Sequence, residues 1–110
     1  MDNKYICTVC GFDSLSEPPW SDLNDKIQPG GASYEICPCC GTEFGYTDFG
    51  ITKQQIIQFH IELRLSWIKG GMKWSHPKSP FEQNNPSLNW SPTLQLKNIP
   101  PEFLSPDEKY

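Results

Sequence analysis

Apolar and polar positions alternate with a helical period in one long stretch, TKQQIIQFHIELRLSWIKGG, residues 52–71. Counted from Thr52, the residues Ile56, Phe59, His60, Leu63 and Trp67 share one face, and Ile57, Ile61, Leu65 and Ile68 widen it. Thr52 with Gln55 three residues later makes a capping box. Lys69 sits in the last turn, and Gly70 or Gly71 ends it. The spacing predicts a long amphipathic helix here. The pattern before it is broken into short pieces. KYICTVC, residues 4–10, and SYEIC, residues 33–37, read as two short strands entering turns. Residues 14–33, rich in Ser, Pro, Asp and Gly, read as a loop, and 41–51, with three glycines and three aromatics, as turns that pack rings. After Met72 the pattern changes: residues 76–110 hold seven prolines in 35 positions, which argues against long helices and central strands. Ser91 and Pro92 can cap and start one short helix through about Asn98. Trp90, Leu94, Leu96, Ile99, Phe103 and Leu104 can pin an extended wrap, with a disordered tail expected over 105–110.

Length and composition narrow this picture. A chain of 110 residues argues for one domain, too small to bury a large core without a staple. The net charge of −4 gives no hint of a nucleic-acid or membrane partner. No run of 18 apolar residues exists to span a bilayer. MDNKYIC lacks the apolar stretch of a signal peptide, so a cytoplasmic location is expected. In a reducing compartment, clustered cysteines suggest metal binding more than disulfides.

Cys7 and Cys10 lie in CTVCG, and Cys37 and Cys40 in CPCCG. Two residues between cysteines let one tight turn aim both sulfurs at a common point. Gly11 and Gly41, one after each pair, tolerate positive φ and let the chain fold back. Four thiolates in tetrahedral array favour Zn²⁺ or a single iron. Cys7, Cys10, Cys37 and Cys40 are therefore the expected ligands of one structural Zn²⁺, with Fe as the alternative. Residues 1–50 hold two lysines against eight acidic residues, so the metal turns make a poor phosphate surface. Cys39 is left over: a small surface or half-buried residue, with a redox-responsive thiol or a ligand that swaps with Cys40 as the alternatives.

KYICTVCGFD, IQPGGAS and CPCCG resemble the metal turns and intervening loop of rubredoxins over residues 4–41. That resemblance implies iron on Cys7, Cys10, Cys37 and Cys40. The loop between the pairs is shorter than in that family, Glu35 stands where an aromatic is usual, and about 60 residues follow that ordinary rubredoxins lack. YICTVCG, Leu15, EPP and SYEICPCC are also similar to the bacterial cysteine-rich CPCC proteins over residues 5–40. This second resemblance implies a rubredoxin-like or zinc-ribbon fold.

His60, on the apolar stripe, reads as a packed core residue, because four cysteines already fill a tetrahedral site. His76, before a proline, reads as exposed. No hydrolase signature, phosphate-binding glycine loop or paired-histidine zinc motif is present, so no enzyme is expected. Trp67, Lys69, Lys73, Trp74 and Lys78 interleave aromatics with cations and form a candidate partner surface. The expected architecture is α+β. A zinc-ribbon β-hairpin unit spans 1–50. The helix and a proline-rich wrap packed on it span 51–104, and the tail spans 105–110. The expected role is a non-enzymatic zinc module that binds another protein. The alternatives are a rubredoxin-like iron electron carrier and a nucleic-acid accessory. No small-molecule substrate is inferred.

Overall fold

A computed structural model describes residues 5–21, 31–75 and 91–110. Lys78, His76 and Trp90 lie outside the described residues. The dominant element is helix α1, Lys53–Lys69. Its start is set by the capping box: the Thr52 side chain accepts from Gln55 N, and Gln55 Oε1 accepts from Thr52 N at 3.2 Å and Ile51 N at 2.7 Å. Gly70 caps its end, with its N–H donating to Ser66 O and Ile68 O. Helix α2, Pro92–Gln95, starts on Ser91 and runs into a 3₁₀ turn at Leu96–Asn98, and a second 3₁₀ turn follows at Pro101–Phe103. No described helix is long and apolar enough to cross a membrane.

The expected α+β architecture, with its zinc-ribbon β-hairpin unit, is corrected here. Among the described residues there is no strand and no sheet, only isolated antiparallel bridges at Tyr5–Leu15, Trp20–Ala32 and Ile36–Glu43. The reason lies in how the backbone groups are spent. Tyr5 and Leu15 exchange two bonds of 3.0 Å, but two residues later Cys7 N already donates to Phe12 O at 2.7 Å and Gly11 N turns back to Cys7 O at 2.8 Å. The second cysteine pair repeats the scheme, with Cys37 N to Thr42 O at 2.9 Å and Gly41 N to Cys37 O at 2.8 Å. Each arm is consumed by its sulfur-aiming turn before a ladder can lengthen. The β-formers Tyr5, Ile6 and Val9 therefore sit in a knuckle.

Two apolar clusters share α1 as a partition. One gathers Val9, Leu15 and Phe44 around Cys7, Cys10, Cys37 and Cys39, with Leu63, Trp67 and Trp74 packed against it. The other gathers Leu96, Ile99 and Phe103 against Ile57, Trp67, Ile68 and Met72. Burying such side chains contributes about 1.5–3 kcal/mol each. The buried face of α1 differs from the sequence stripe. Ile56, His60, Ile61 and Arg64 are buried, whereas Phe59 and Leu65 are exposed.

Candidate metal centre

The two knuckles bring four sulfurs together. The ligand atoms of Cys7, Cys10, Cys37 and Cys40 all lie within 4.8 Å of one another. Across the knuckles, Cys7 Sγ is 3.7 Å from Cys40 Sγ and Cys10 Sγ is 3.8 Å from Cys37 Sγ. A tetrahedron with metal–sulfur bonds of about 2.3 Å has edges of about 3.8 Å, so these spacings fit a first-row metal in a four-thiolate site. These four side chains can hold a metal ion. Cys7, Cys10 and Cys37 are fully buried, and Cys40 is half-buried.

The donors' protonation is consistent with a site built for a cation. Burial pushes the Cys7 and Cys10 thiols well above their ordinary value. Hydrogen bonds from Cys10, Cys37 and Cys7 hold Cys40 well below it. These shifts favour negative charge on Cys40 and keep Cys7 and Cys10 as donors. Only a bound cation can make all four thiolates compatible. Cys39 is fully buried beside the site. A hydrogen bond from Cys10, then one from Gln95, lower its thiol, and Gln95 Nε2 lies 3.3 Å from its sulfur.

Three elements clamp the first knuckle. From α2, Gln95 Nε2 donates to Cys10 O at 3.1 Å, and Asn98 Nδ2 in the following turn donates to Gly11 O at 3.0 Å. From α1, His60 Nδ1 lies 2.6 Å from Thr8 Oγ1, and Arg64 Nη1 donates to Thr8 O at 3.0 Å and Val9 O at 3.2 Å. His60 Nε2 in turn lies 2.5 Å from Asp48 Oδ2. Asp48, in the turns after the second knuckle, also accepts from Trp20 Nε1 at 3.0 Å and Gly45 N at 2.6 Å. Burial alone would raise the Asp48 carboxyl, but the His60, Trp20 and Gly45 donors outweigh it and hold it below the ordinary range. The expectation of a packed, hydrogen-bonded His60 matches this placement, and the ring also stacks on Phe103 with centroids 5.5 Å apart.

Close docking makes the two knuckle glycines stringent. Gly11 has φ +88°, and a Cβ there would lie 2.1 Å from Gln95 O. Gly41 has φ +81°, and its Cβ would lie 2.4 Å from Ser75 Oγ. Gly11→Ala is expected to lower stability by at least about 1–3 kcal/mol, because the left-handed backbone is strained and the α2 backbone must retreat. Gly41→Ala meets a flexible side chain instead, so chemical denaturation should show the smaller loss for it.

Asp48, Arg64 and Thr8 are site-supporting residues that the sequence reading missed. One sign was available: Arg64 follows His60 by four residues on an otherwise apolar stripe, and a charge there must find a partner. The candidate partner surface is placed in part. Trp67 and Trp74 are half-buried against the core, Lys69 and Lys73 are exposed, and Trp67 Nε1 donates to Lys73 O at 2.9 Å. Trp74 meets Phe12 edge-on at 5.6 Å.

Among known proteins, the chain is similar to YozI of Bacillus subtilis (strain 168), with 32% identity over 94 residues covering 77% of this chain and 74% of YozI. It is also similar to YoaQ of the same organism, with 33% identity over 110 residues covering 90% of this chain and 89% of YoaQ. Both are described as uncharacterized proteins. No protein-family model and no solved structure matches the chain.

Proposed function

We propose that this chain, which belongs to the family of the Bacillus subtilis proteins YozI and YoaQ, is a non-enzymatic module that folds around one structural Zn²⁺ and docks another protein. The observation that carries the metal reading is the pair of cross-knuckle sulfur spacings, 3.7 and 3.8 Å, at the edge length of a tetrahedral thiolate site. With all four positions supplied by Cys7, Cys10, Cys37 and Cys40, no position is left for a substrate, which favours a structural ion over a catalytic one. The likeness of residues 5–40 to the CPCC proteins supports the same reading.

The docking part rests on apolar side chains exposed beside an acidic metal half. Tyr34, Tyr46, Phe49 and Ile51 are exposed, and the Tyr34 ring rests against Gly45, next to Tyr46. Exposed aromatics of this kind mark association surfaces. The acidic balance of residues 1–50, with a metal–thiolate centre adding further negative charge, matches a protein whose surface is basic and apolar.

Elemental analysis of protein from zinc- and iron-replete cells tests the metal. One zinc per chain is expected, and loss of it in Cys37→Ser. A red protein holding one iron would overturn the structural reading in favour of electron transfer through the same four sulfurs. For docking, a photo-crosslinking amino acid at position 46 is expected to yield discrete adducts with basic proteins in producing cells. Adducts no more frequent than at exposed Glu62 would remove that part of the proposal.

A further inference from the structure

Arg64 is fully buried, yet every N–H direction of its guanidinium is taken. Nη1 donates to Thr8 O and Val9 O, the two carbonyls between Cys7 and Cys10. Nε and Nη2 grip the Glu108 carboxylate in a fork, at 2.6 Å each, and Nη2 also donates to Phe103 O at 2.5 Å. The Glu108 side chain is itself 5% exposed. Ser105 N and Tyr110 Oη donate to the same carboxylate at 2.9 and 2.6 Å. One side chain of α1 thus holds the turn that aims two sulfurs and the segment 103–108. The composition of residues 105–110 gives no sign of such a fastening.

A buried guanidinium is stable only while its charge is paired. When Glu108 is withdrawn, Arg64 is left as an uncompensated cation and must swing toward water. That movement removes both donors from Thr8 O and Val9 O and slackens the first knuckle. Conversely, a knuckle loosened by metal loss deprives Arg64 of two acceptors and weakens its hold on Glu108. We infer that segment 103–108 is a latch coupled to the metal centre through Arg64, so that its docking tightens metal binding and metal binding tightens its docking. This inference rests on the reading that Cys7, Cys10, Cys37 and Cys40 hold the ion. Coupling between two binding events is reciprocal by thermodynamic necessity.

The test is zinc affinity of the full chain, measured by competition with a chromophoric chelator. Glu108→Gln, and a chain ended after Leu104, are each expected to weaken zinc binding roughly tenfold, within the usual span of coupled sites. Glu102→Gln is the control, because Glu102 immediately precedes the segment but pairs with Lys53 at 3.1 Å in a half-exposed bridge away from Arg64. It should leave affinity unchanged. Arg64→Lys, which keeps the charge and loses the fork, should make a further Glu108→Gln change inconsequential. The converse needs no variant. Zinc added to the chelator-stripped wild-type chain should slow carboxypeptidase digestion past Glu108 in proportion to occupancy. Affinity of Glu108→Gln within about twofold of wild type, or digestion indifferent to zinc, would overturn the coupling. A wild-type chain that takes up no zinc would instead sink the metal reading beneath it.

Discussion

Stripping the metal with a strong chelator is expected to abolish the cooperative thermal transition, and readdition of Zn²⁺ to restore it. The first apolar cluster consists largely of the cysteine turns themselves: Cys7, Cys10, Cys37 and Cys39 stand among Val9, Leu15 and Phe44. Without an ion, four sulfurs within 4.8 Å of one another cannot all carry charge, and burial holds Cys7 and Cys10 protonated. The bridges around them are single pairs, and such pairing is marginal even as a full hairpin. A structural Zn²⁺ contributes roughly 10–16 kcal/mol of apparent binding free energy at neutral pH. The net stability of a domain is about 5–15 kcal/mol, so a zinc ion held here would be enough by itself to decide whether the chain folds. Cys37→Ser should reproduce the chelator's effect, while Cys39→Ser should keep one metal per chain. Circular dichroism melts paired with elemental analysis give the answer. A transition unchanged after verified metal removal would show that the knuckles are held by packing alone.

A metal held by the four cysteines would take over a task that a sheet performs in other small domains. It would fix two turns 26 residues apart in sequence, and the helices fasten onto those turns rather than onto strands. Gln95, Asn98, His60 and Arg64 all address the first knuckle, three of them through its backbone carbonyls. A rigid first turn is what makes four grips from two helical regions geometrically compatible. Among the described residues, the second knuckle is met by Ser75 N, which donates to Cys39 O at 2.8 Å, and by Thr42 Oγ1, 3.2 Å from Cys40 Sγ. Cys40 is the half-buried ligand of the set, so exchange with solvent or a competing chelator has its easiest approach there.

Local chemistry was legible, and long-range pairing was not. Thr52 with Gln55, Gly70, and Ser91 with Pro92 fix their helix ends through bonds spanning a few residues, so the sequence reports them directly. The cysteine spacing likewise encodes each turn within five residues. The β-propensity of Tyr5 and Ile6 misled because the turn chemistry of Cys7–Gly11 claims the backbone groups that a ladder would need. Phe59 and Leu65 carry the period of an apolar stripe, and that period holds no sign of the charge pairing that places Arg64 inside. Arg64 is buried and they are exposed, and its partners are a carboxylate 44 residues away and carbonyls 55 and 56 residues away. Asp48 gave no local sign, since its partners Trp20 and His60 come from separate segments.

Asp48→Ala is expected to cost several kcal/mol, at about 1–3 kcal/mol for each buried donor left without its acceptor. The carboxylate is 0% exposed and accepts from the Trp20 indole, the Gly45 N–H and His60, so its loss strands three donors at once. Asp48→Asn should cost less, because one oxygen survives, but its amide would face a donor. The pH dependence separates this from simple loss of packing. Asp48 sits below its ordinary value of 3.8, so its stabilisation is complete well above that value and is lost as the pH falls through the folded-state value. Glu108 behaves in the same direction. Burial opposes ionisation there, but the Arg64 fork and the Ser105 and Tyr110 donors hold the carboxyl at about 2 against an ordinary 4.5, so its contribution disappears between those limits. Acid also releases the metal as thiolates take up protons, in wild type and variant alike. The informative quantity is therefore the stability difference between wild type and Asp48→Ala. It should be constant above about pH 5 and shrink progressively in more acid solution. A difference that stays flat into acid would mean that Asp48 fills space without carrying charge.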